Sequence, residues 1–415
     1  MEQRKNVVVI GGGVVGVCCA YYLARGGCKV TILEKNDICS GCSHGNAGWI
    51  VPSYAVPMAA PGMMWKGMRW SFSPDSPFYI KPRLDGALIS WLLRFSLRCT
   101  KGHVRRCVPV LKELSLESLK LFKELAKIEN FEFGFRRDGL LKVFRTMKGF
   151  EAAAHEAIML KEAGLEGVIY DAEGVHKLEP CLMPEVVGGV YYQCDAHITP
   201  GAFVTGLAKI IEKDGVKIRR GVEVMGFLSD GPKIRIIETT KGNLDADEIV
   251  VAAGADSPEL AWLLGLRVPI QPGKGYSVTC VKPKKSPLMP ISLGEAKVAV
   301  TPMGEHLRFG GTLELSGHDL SLNRVRIAAI LASASLYLRD VDQLSIVETW
   351  RGLRPCTPDG LPIIGRAKQF ENVILAVGHG QLGVSLGPIT GKLVAQLAAK
   401  QTPQINLEPL RAERF

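Results

Sequence analysis

Several things are missing from this chain of 415 residues, and each absence narrows what it can be. No apolar run reaches the roughly 20 residues that a membrane-spanning helix needs. No secretory leader precedes the first strand-like run at Val7, so the expected place is the cytosol or the cytosolic face of a membrane. No second C-x-x-C accompanies Cys39-x-x-Cys42, whereas structural zinc and iron–sulfur clusters ask for four ligands, so no metal site is expected. The other cysteines are scattered, several in apolar surroundings such as Cys18, Cys19 and Cys28, and are expected to be reduced, buried thiols. Internal repeats, low-complexity tracts and any recognised nucleic-acid module are also absent. What remains is ordinary for a globular protein, 47% hydrophobic and 22% charged, and long enough for two domains with filled cores.

What is present begins at once. Val7-Val8-Val9-Ile10 runs into Gly11-Gly12-Gly13-Val14-Val15-Gly16, an apolar helix follows, and a second strand, residues 29–33, ends at Glu34. Glycine-rich turns are common, but a G-x-G-x-x-G that follows a buried-type strand, opens a helix and is trailed by an acid at the end of the next strand is the dinucleotide fingerprint. Gly11 permits the tight turn, Gly13 lets backbone approach a pyrophosphate, and Gly16 lets helix pack on strand. The pyrophosphate meets the free N–H groups at the helix start, and Glu34 accepts hydrogen bonds from a ribose diol.

The segment after Glu34 chooses the dinucleotide. Residues 40–48 are small and polar, suited to running backbone along a phosphate or a flavin ring. The chain then breaks into a Pro- and Met-rich stretch, residues 51–68, where nicotinamide enzymes more often continue into another βαβ unit. That favours FAD.

The net charge of +10 is unevenly placed. Between Lys66 and Arg106, nine basic residues stand against two acids, Asp75 and Asp85. Trp49, Trp65, Trp70 and Trp91 lie in or beside this stretch, with Phe72, Phe78, Tyr79 and Phe95. Such interleaving suits an anionic membrane surface, a redox partner or a hetero-oligomeric partner; a lid with a solvated basic face is the equal alternative.

Hydrophobic spacing predicts helices over residues 111–129, 152–163, 200–213, 322–338 and 388–400. Strands are expected over 138–144, 188–192 and 372–377, with two strand-like pieces in 215–224. Residues 234–240 and 248–253 read as a hairpin-like unit, and 273–313 as a run of short strands and turns. The dinucleotide half thus returns near the C-terminal end, and the domains interleave.

Four separated pieces carry a resemblance: Val8 through Gly16 with Glu34; residues 46–62; Gly273-Lys274-Gly275-Tyr276-Ser277; and residues 350–360 with Gly378-His379-Gly380. Together they resemble the FAD-dependent D-amino-acid oxidase superfamily, most of all its bacterial D-amino-acid dehydrogenases (small subunit). The resemblance implies an α/β fold in which a Rossmann-like FAD-binding domain (1–50, 198–265 and 350–400) interleaves with a mixed-sheet α+β substrate domain (51–197 and 266–349), leaving 401–415 as a C-terminal tail. It implies FAD-dependent oxidative deamination of a D-amino acid, D-proline or a hydroxy-D-proline included, by hydride transfer to flavin N5. Electrons would pass to a quinone, dye or partner protein. An oxygen-using glycine- or sarcosine-type amine oxidase, and an FAD-carrying subunit of a multi-subunit dehydrogenase, are the alternatives.

The same resemblance implies the site. Arg354 would clamp the substrate carboxylate, which a guanidinium fork does bidentately at any working pH. Tyr54 and Tyr276 would grip the substrate or close over it, core packing being the equal reading for Tyr276. Gly378, Gly380, Gln381, Leu382 and Gly383 would pass under the flavin. His379 is the candidate reacting histidine, although a substrate amine arriving neutral needs no strong base; flavin contact is the other reading for it and for His44. Other cofactor neighbours would be Val14, Val15, Lys35, Ser43, Asn46, Ala47, Gly48, Val222, Gly254 and Gly352. Relatives of the sarcosine-oxidase type tether flavin through a cysteine several residues before their Thr-Pro-Asp run. Here Cys356 directly precedes Thr357, so non-covalent FAD is expected.

Overall fold

Strands that read as unbroken apolar runs, without polar alternation, belong in the middle of a sheet covered on both faces. The computed structural model, which describes residues 4–71 and 76–415, puts them there. A six-stranded sheet has the order Ile363–Arg366, Val373–Val377, Glu248–Val251, β1 (Asn6–Ile10), β2 (Lys29–Glu34), Lys217–Arg220, all parallel except the first. Val7 and Val9 face a core shared with α1 (Val14–Arg25) and the helices Pro200–Lys213 and Gly383–Ala398. Val8 and Ile10 face the other way, onto the hairpin Val224–Asp230/Lys233–Thr239 and the helix Ser257–Leu263. The expected hairpin partner Glu248–Val251 instead enters this sheet beside β1, because four fully buried residues need a central position.

A nine-stranded mixed sheet stands over the first. Its long strands are Gln271–Val281, His306–Leu315 and Ile346–Cys356, so residues 273–313 are not a run of short strands throughout, and a boundary at residue 350 falls inside a strand. One register row crosses it: Trp350, Ser277, Gly310, Ala299, Ser292, Lys142. Paired residues share a face, and this face meets the 42–54 segment: a Cβ on Gly45 would fall 2.0 Å from the Trp350 ring, and Tyr54 bonds Ser292. The opposite face, with Tyr276, Val278, Val300 and Phe309, is packed under the helix Arg324–Ser335.

Three helix starts lie earlier than spacing alone predicts, whereas Pro200–Lys213 begins where expected and Arg324–Ser335 begins two residues later. Lys101–Leu125 is capped by Thr100 and runs through Pro109; Met147–Glu162 is capped by Thr146; Gly383–Ala398 runs through Pro388. Proline inside a helix ordinarily marks a boundary; here Cys107, Val108 and Leu111 around Pro109, and Leu386, Gly387 and Ile389 around Pro388, are buried and hold each helix through it. Residues 401–415 pack back: Leu410 is buried, and Arg414 pairs with Asp359 at 2.7 Å. Within the basic, tryptophan-rich stretch, Phe72 and Asp75 lie outside the described residues, as do the side chains of Lys66 and Trp70. Among the described residues no helix is long and apolar enough to cross a membrane.

Candidate active site

The glycine turn is closed by contact. Gly11 has φ +114°, and a Cβ there would sit 2.4 Å from the Ala252 carbonyl oxygen; a Cβ on Gly16 would sit 1.8 Å from the Gly11 oxygen. Gly13 differs, since its Cβ would meet only Ser43 Oγ, at 3.4 Å, leaving open space above the start of α1. Gly13 offers α1 no side-chain cap, and the Val14 N–H donates to Ser43 Oγ at 3.0 Å. Glu34 accepts the Gly12 N–H at 2.7 Å through Oε2 and the Asn36 N–H at 2.8 Å through Oε1. Each oxygen keeps a lone pair for a sugar hydroxyl. Lys35 pairs with Asp256 at 2.7 Å, the Val222 N–H bonds the Glu34 carbonyl at 2.9 Å, and Gly254 turns with φ +59°. This cradle fits a dinucleotide.

A second helix start lies alongside. Gly387 packs on Val14 and Gly391 on Cys18, so Gly383–Ala398 runs parallel to α1 with its N-terminus at the same end. Gly378 (φ +77°), Gly380 (φ +53°), Gln381 and Leu382 lead into it. Two helix dipoles therefore bring positive ends to one region, where negative charge on a cofactor is stabilised.

The 43–48 loop is pinned by a residue that motif reading missed. Arg308 is buried; its Nη1 donates to the carbonyls of His44 (2.7 Å) and Asn46 (3.1 Å), and its Nε to Thr279. His44 pairs with Glu348 at 2.8 Å, the Ala47 carbonyl accepts from Thr301, and the N–H of Gly48 (φ +76°) donates to Asn46 Oδ1 at 2.8 Å. A lone arginine inside an apolar strand was the available signal.

Arg354 lies on the same strand face as Trp350 and Gly352, and its guanidinium crosses Gly275, where a Cβ would come within 2.0 Å. Its Nη1 donates to the Thr312 carbonyl at 2.8 Å. Thr312 has φ +64° at a register shift in the His306–Leu315 strand, a bulge that brings this carbonyl to the arginine. Among the described residues no carboxylate pairs with Arg354. Burial pushes its pKa below the ordinary arginine value, with the Cys356 and Cys42 sulfurs working the other way. Burial also pushes the Cys356 thiol up to about 12 and the Cys39 thiol up to about 12, which leaves both protonated.

Tyr54 bonds Ser292 at 2.9 Å and carries the Lys142 ammonium 4.5 Å from its ring centre; burial raises its pKa, against that ammonium. Two sequence candidates are not brought to this face. Tyr276 is 1% exposed on the far side of its strand, its hydroxyl donating to Glu314 at 3.0 Å. The His379 ring meets Thr390 Oγ1 at 2.9 Å, inside the last helix, and burial pushes its pKa down to about 3.

A dinucleotide cradle at the carboxyl ends of the central parallel strands, with a second sheet beside it carrying an arginine that has no carboxylate partner among the described residues, is the arrangement of a dinucleotide-dependent oxidoreductase. Residues 6–397 match the family model described as "DAO: FAD dependent oxidoreductase", and the chain belongs to that family. It is similar to a D-amino acid dehydrogenase of Cereibacter sphaeroides, 35% identical over 99% of this chain and 95% of that one. A D-amino acid dehydrogenase of Agrobacterium fabrum is 34% identical over 99% of both chains. Among solved structures, glycine oxidase from Geobacillus kaustophilus shares the fold with TM-score 0.82 at 24% identity over the full length of both chains. L-proline dehydrogenase from P. horikoshii does so with TM-score 0.79 at 22% identity, covering 100% of this chain and 98% of that one.

Proposed function

We propose that this protein oxidises the α-carbon–nitrogen bond of a D-amino acid or a cyclic D-imino acid such as D-proline or a hydroxy-D-proline, and passes the electrons to a quinone, dye or partner protein. The observation that carries it is Arg354, a half-buried guanidinium beside the flavin-side loops with no carboxylate partner among the described residues. One of its donors is held by Thr312, which fixes the fork and leaves the others for an incoming carboxylate. Relatives named D-amino acid dehydrogenase, matched over nearly the whole chain, support the substrate class.

FAD, when bound, supplies the two-electron oxidant. The protein's part is orientation and charge. Arg354 fixes the carboxylate, so the α-hydrogen presents to one side, and Tyr54 on its 3-10 turn Pro52–Tyr54 closes the other. Held neutral by burial and bonded to Thr390, His379 serves the loop under the cofactor rather than proton abstraction. With no base required, the amine must arrive unprotonated. The Glu34 carboxylate, the Gly13 opening and the 378–383 turn hold the cofactor, and Cys356, protonated and within a strand, does not tether it.

The test is a panel of D- and L-amino acids mixed anaerobically with the purified yellow protein. Bleaching of flavin absorbance by D-enantiomers is expected, with turnover faster on an artificial dye than on oxygen. Bleaching by glycine or sarcosine with oxygen as the better acceptor would overturn the reading in favour of an amine oxidase.

A further inference from the structure

The helix Gly86–Arg98 is apolar over far more of its circumference than it buries. Leu88, Trp91 and Phe95 form its buried side, while Ile89, Leu93 and Leu97 form a stripe at i, i+4, i+8 that is 51%, 62% and 76% exposed. Leu84, just before it, is fully exposed, and Trp65 is 75% exposed on the helix Met63–Ser71, whose Met63 and Met64 share the same core cluster. A soluble helix ordinarily turns polar residues to water on such a flank.

The charges within the helix and in the two turns that follow it along the chain are of one sign. Arg94, exposed, and Arg98, half-exposed, follow Leu93 and Leu97 by one residue, and Lys101, Arg105 and Arg106 stand exposed in the first turns of the next helix. None of these five has a carboxylate partner among the described residues. The acid nearest in sequence, Asp85, is engaged by Arg83 at 2.9 Å and caps the helix at Ala87 and Leu88.

We infer that this flank docks onto an anionic lipid bilayer. Long aliphatic side chains and a tryptophan framed by unpaired arginines and lysines match the boundary between acyl chains and acidic headgroups. A second copy of this chain fits poorly, since two such faces would set five cations against five. A convex helix of 13 residues also offers a peptide no groove.

The location adds a consequence. Trp91 Nε1 donates to the Cys356 carbonyl at 2.9 Å, two residues from Arg354, and Leu88, Trp91 and Phe95 share a core cluster with Cys356. The helix that meets the bilayer therefore also packs against the strand carrying the carboxylate clamp. An electron acceptor dissolved in lipid would arrive next to the site. This last step rests on the function proposed above; the docking does not.

The experiment is co-sedimentation of the holoprotein with vesicles of phosphatidylcholine containing phosphatidylglycerol, and with vesicles of phosphatidylcholine alone. Two double variants are compared, Leu93→Gln with Leu97→Gln, and Arg94→Gln with Arg98→Gln. Wild type is expected on the anionic vesicles only, less so at high salt. Partition should fall about ten-fold or more in the leucine variant, and the arginine variant should lose its salt dependence in part. Both variants should keep bound FAD and dye-linked turnover, while turnover with a quinone embedded in the vesicles falls with partition. Absence of wild-type binding, equal binding to neutral vesicles, unchanged partition in both variants, or a concentration-dependent dimer abolished by the leucine changes would each overturn the inference. If D-amino acids fail to bleach the flavin while vesicle binding behaves as expected, the functional reading falls and the docking surface stands.

Discussion

At Glu34, two backbone N–H groups are already in place before any ligand is considered, and that is what makes it informative. The carboxylate is held by its own turn, so it presents its free lone pairs in a fixed direction to a ribose. Glu34→Ala removes charge-assisted hydrogen bonds worth roughly 1.5–3 kcal/mol. FAD affinity, measured by flavin fluorescence on reconstitution of the apoprotein, should weaken by that order and no more; an unchanged affinity would take the ribose from Glu34. His379 makes the opposite kind of statement. Burial drops its pKa from 6.5 to about 3, and that of His197 from 6.5 to about 4. The unfolded chain binds these protons more readily, so the stability tied to neutral imidazole is whole above pH 6.5 and is lost as pH falls from there towards 3. Asp195 and Glu179, each raised to about 6 by burial, act with the opposite sign: the fold retains protons that the unfolded chain has released, and their contribution declines as pH rises towards 6. His379→Asn should therefore flatten the acid side of a melting-temperature profile between pH 6.5 and 3, while the pH dependence of turnover keeps its shape. A lost limb in the rate profile would restore His379 as a proton carrier.

Among the elements, α1 and the last helix carry the cofactor end between them. Gly391 lets them touch: a Cβ there would lie 2.5 Å from the Cys18 carbonyl carbon and oxygen. Gly391→Ala should push the helices apart at a cost of about 1–3 kcal/mol, lowering both the melting temperature and FAD retention. Calorimetry of holo- and apoprotein checks this, and a holo melting temperature equal to wild type would show that the contact yields. The strand His306–Leu315 works by irregularity instead. Its bulge at Thr312 turns a carbonyl towards Arg354, while Arg308 on the same strand ties down the loop at residues 44–46. Side chains at Arg308 and Arg354 thus share one sheet face, although nothing local in the sequence joins them.

Across the whole molecule, what could be read from the sequence was what is local. The run Val7–Ile10, the three glycines and Glu34 state their own geometry, because a buried parallel strand, a turn with φ above zero and a helix start each leave a short composition signal. Arg354 was legible through its neighbours in the Gly-Leu-Arg-Pro run. Pairing was not: Glu248–Val251 joins β1 across more than half the chain, and no residue near it says so. Nor could the facing of Tyr276 be read, since Tyr276 and Ser277 both sit in a strand buried on both faces, with polar and apolar residues on each, and a shift of one residue exchanges their sides. The helix starts at Lys101 and Gly383 were hidden by Pro109 and Pro388, which ordinarily argue for a boundary.

The central claim is that the second sheet holds Arg354 out to receive a substrate carboxylate above the cofactor. Anaerobic single-turnover reduction of the flavin by the best D-amino acid, in wild type, Arg354→Lys and Arg354→Ala, tests it most directly. The lysine variant keeps charge without the fork and should be impaired; the alanine variant should lose about 2–5 kcal/mol, shared between saturation and the limiting rate, because it strands a buried carboxylate and frees the α-carbon to turn. FAD content should be equal in all three. A wild-type rate with wild-type saturation in Arg354→Ala would contradict the account.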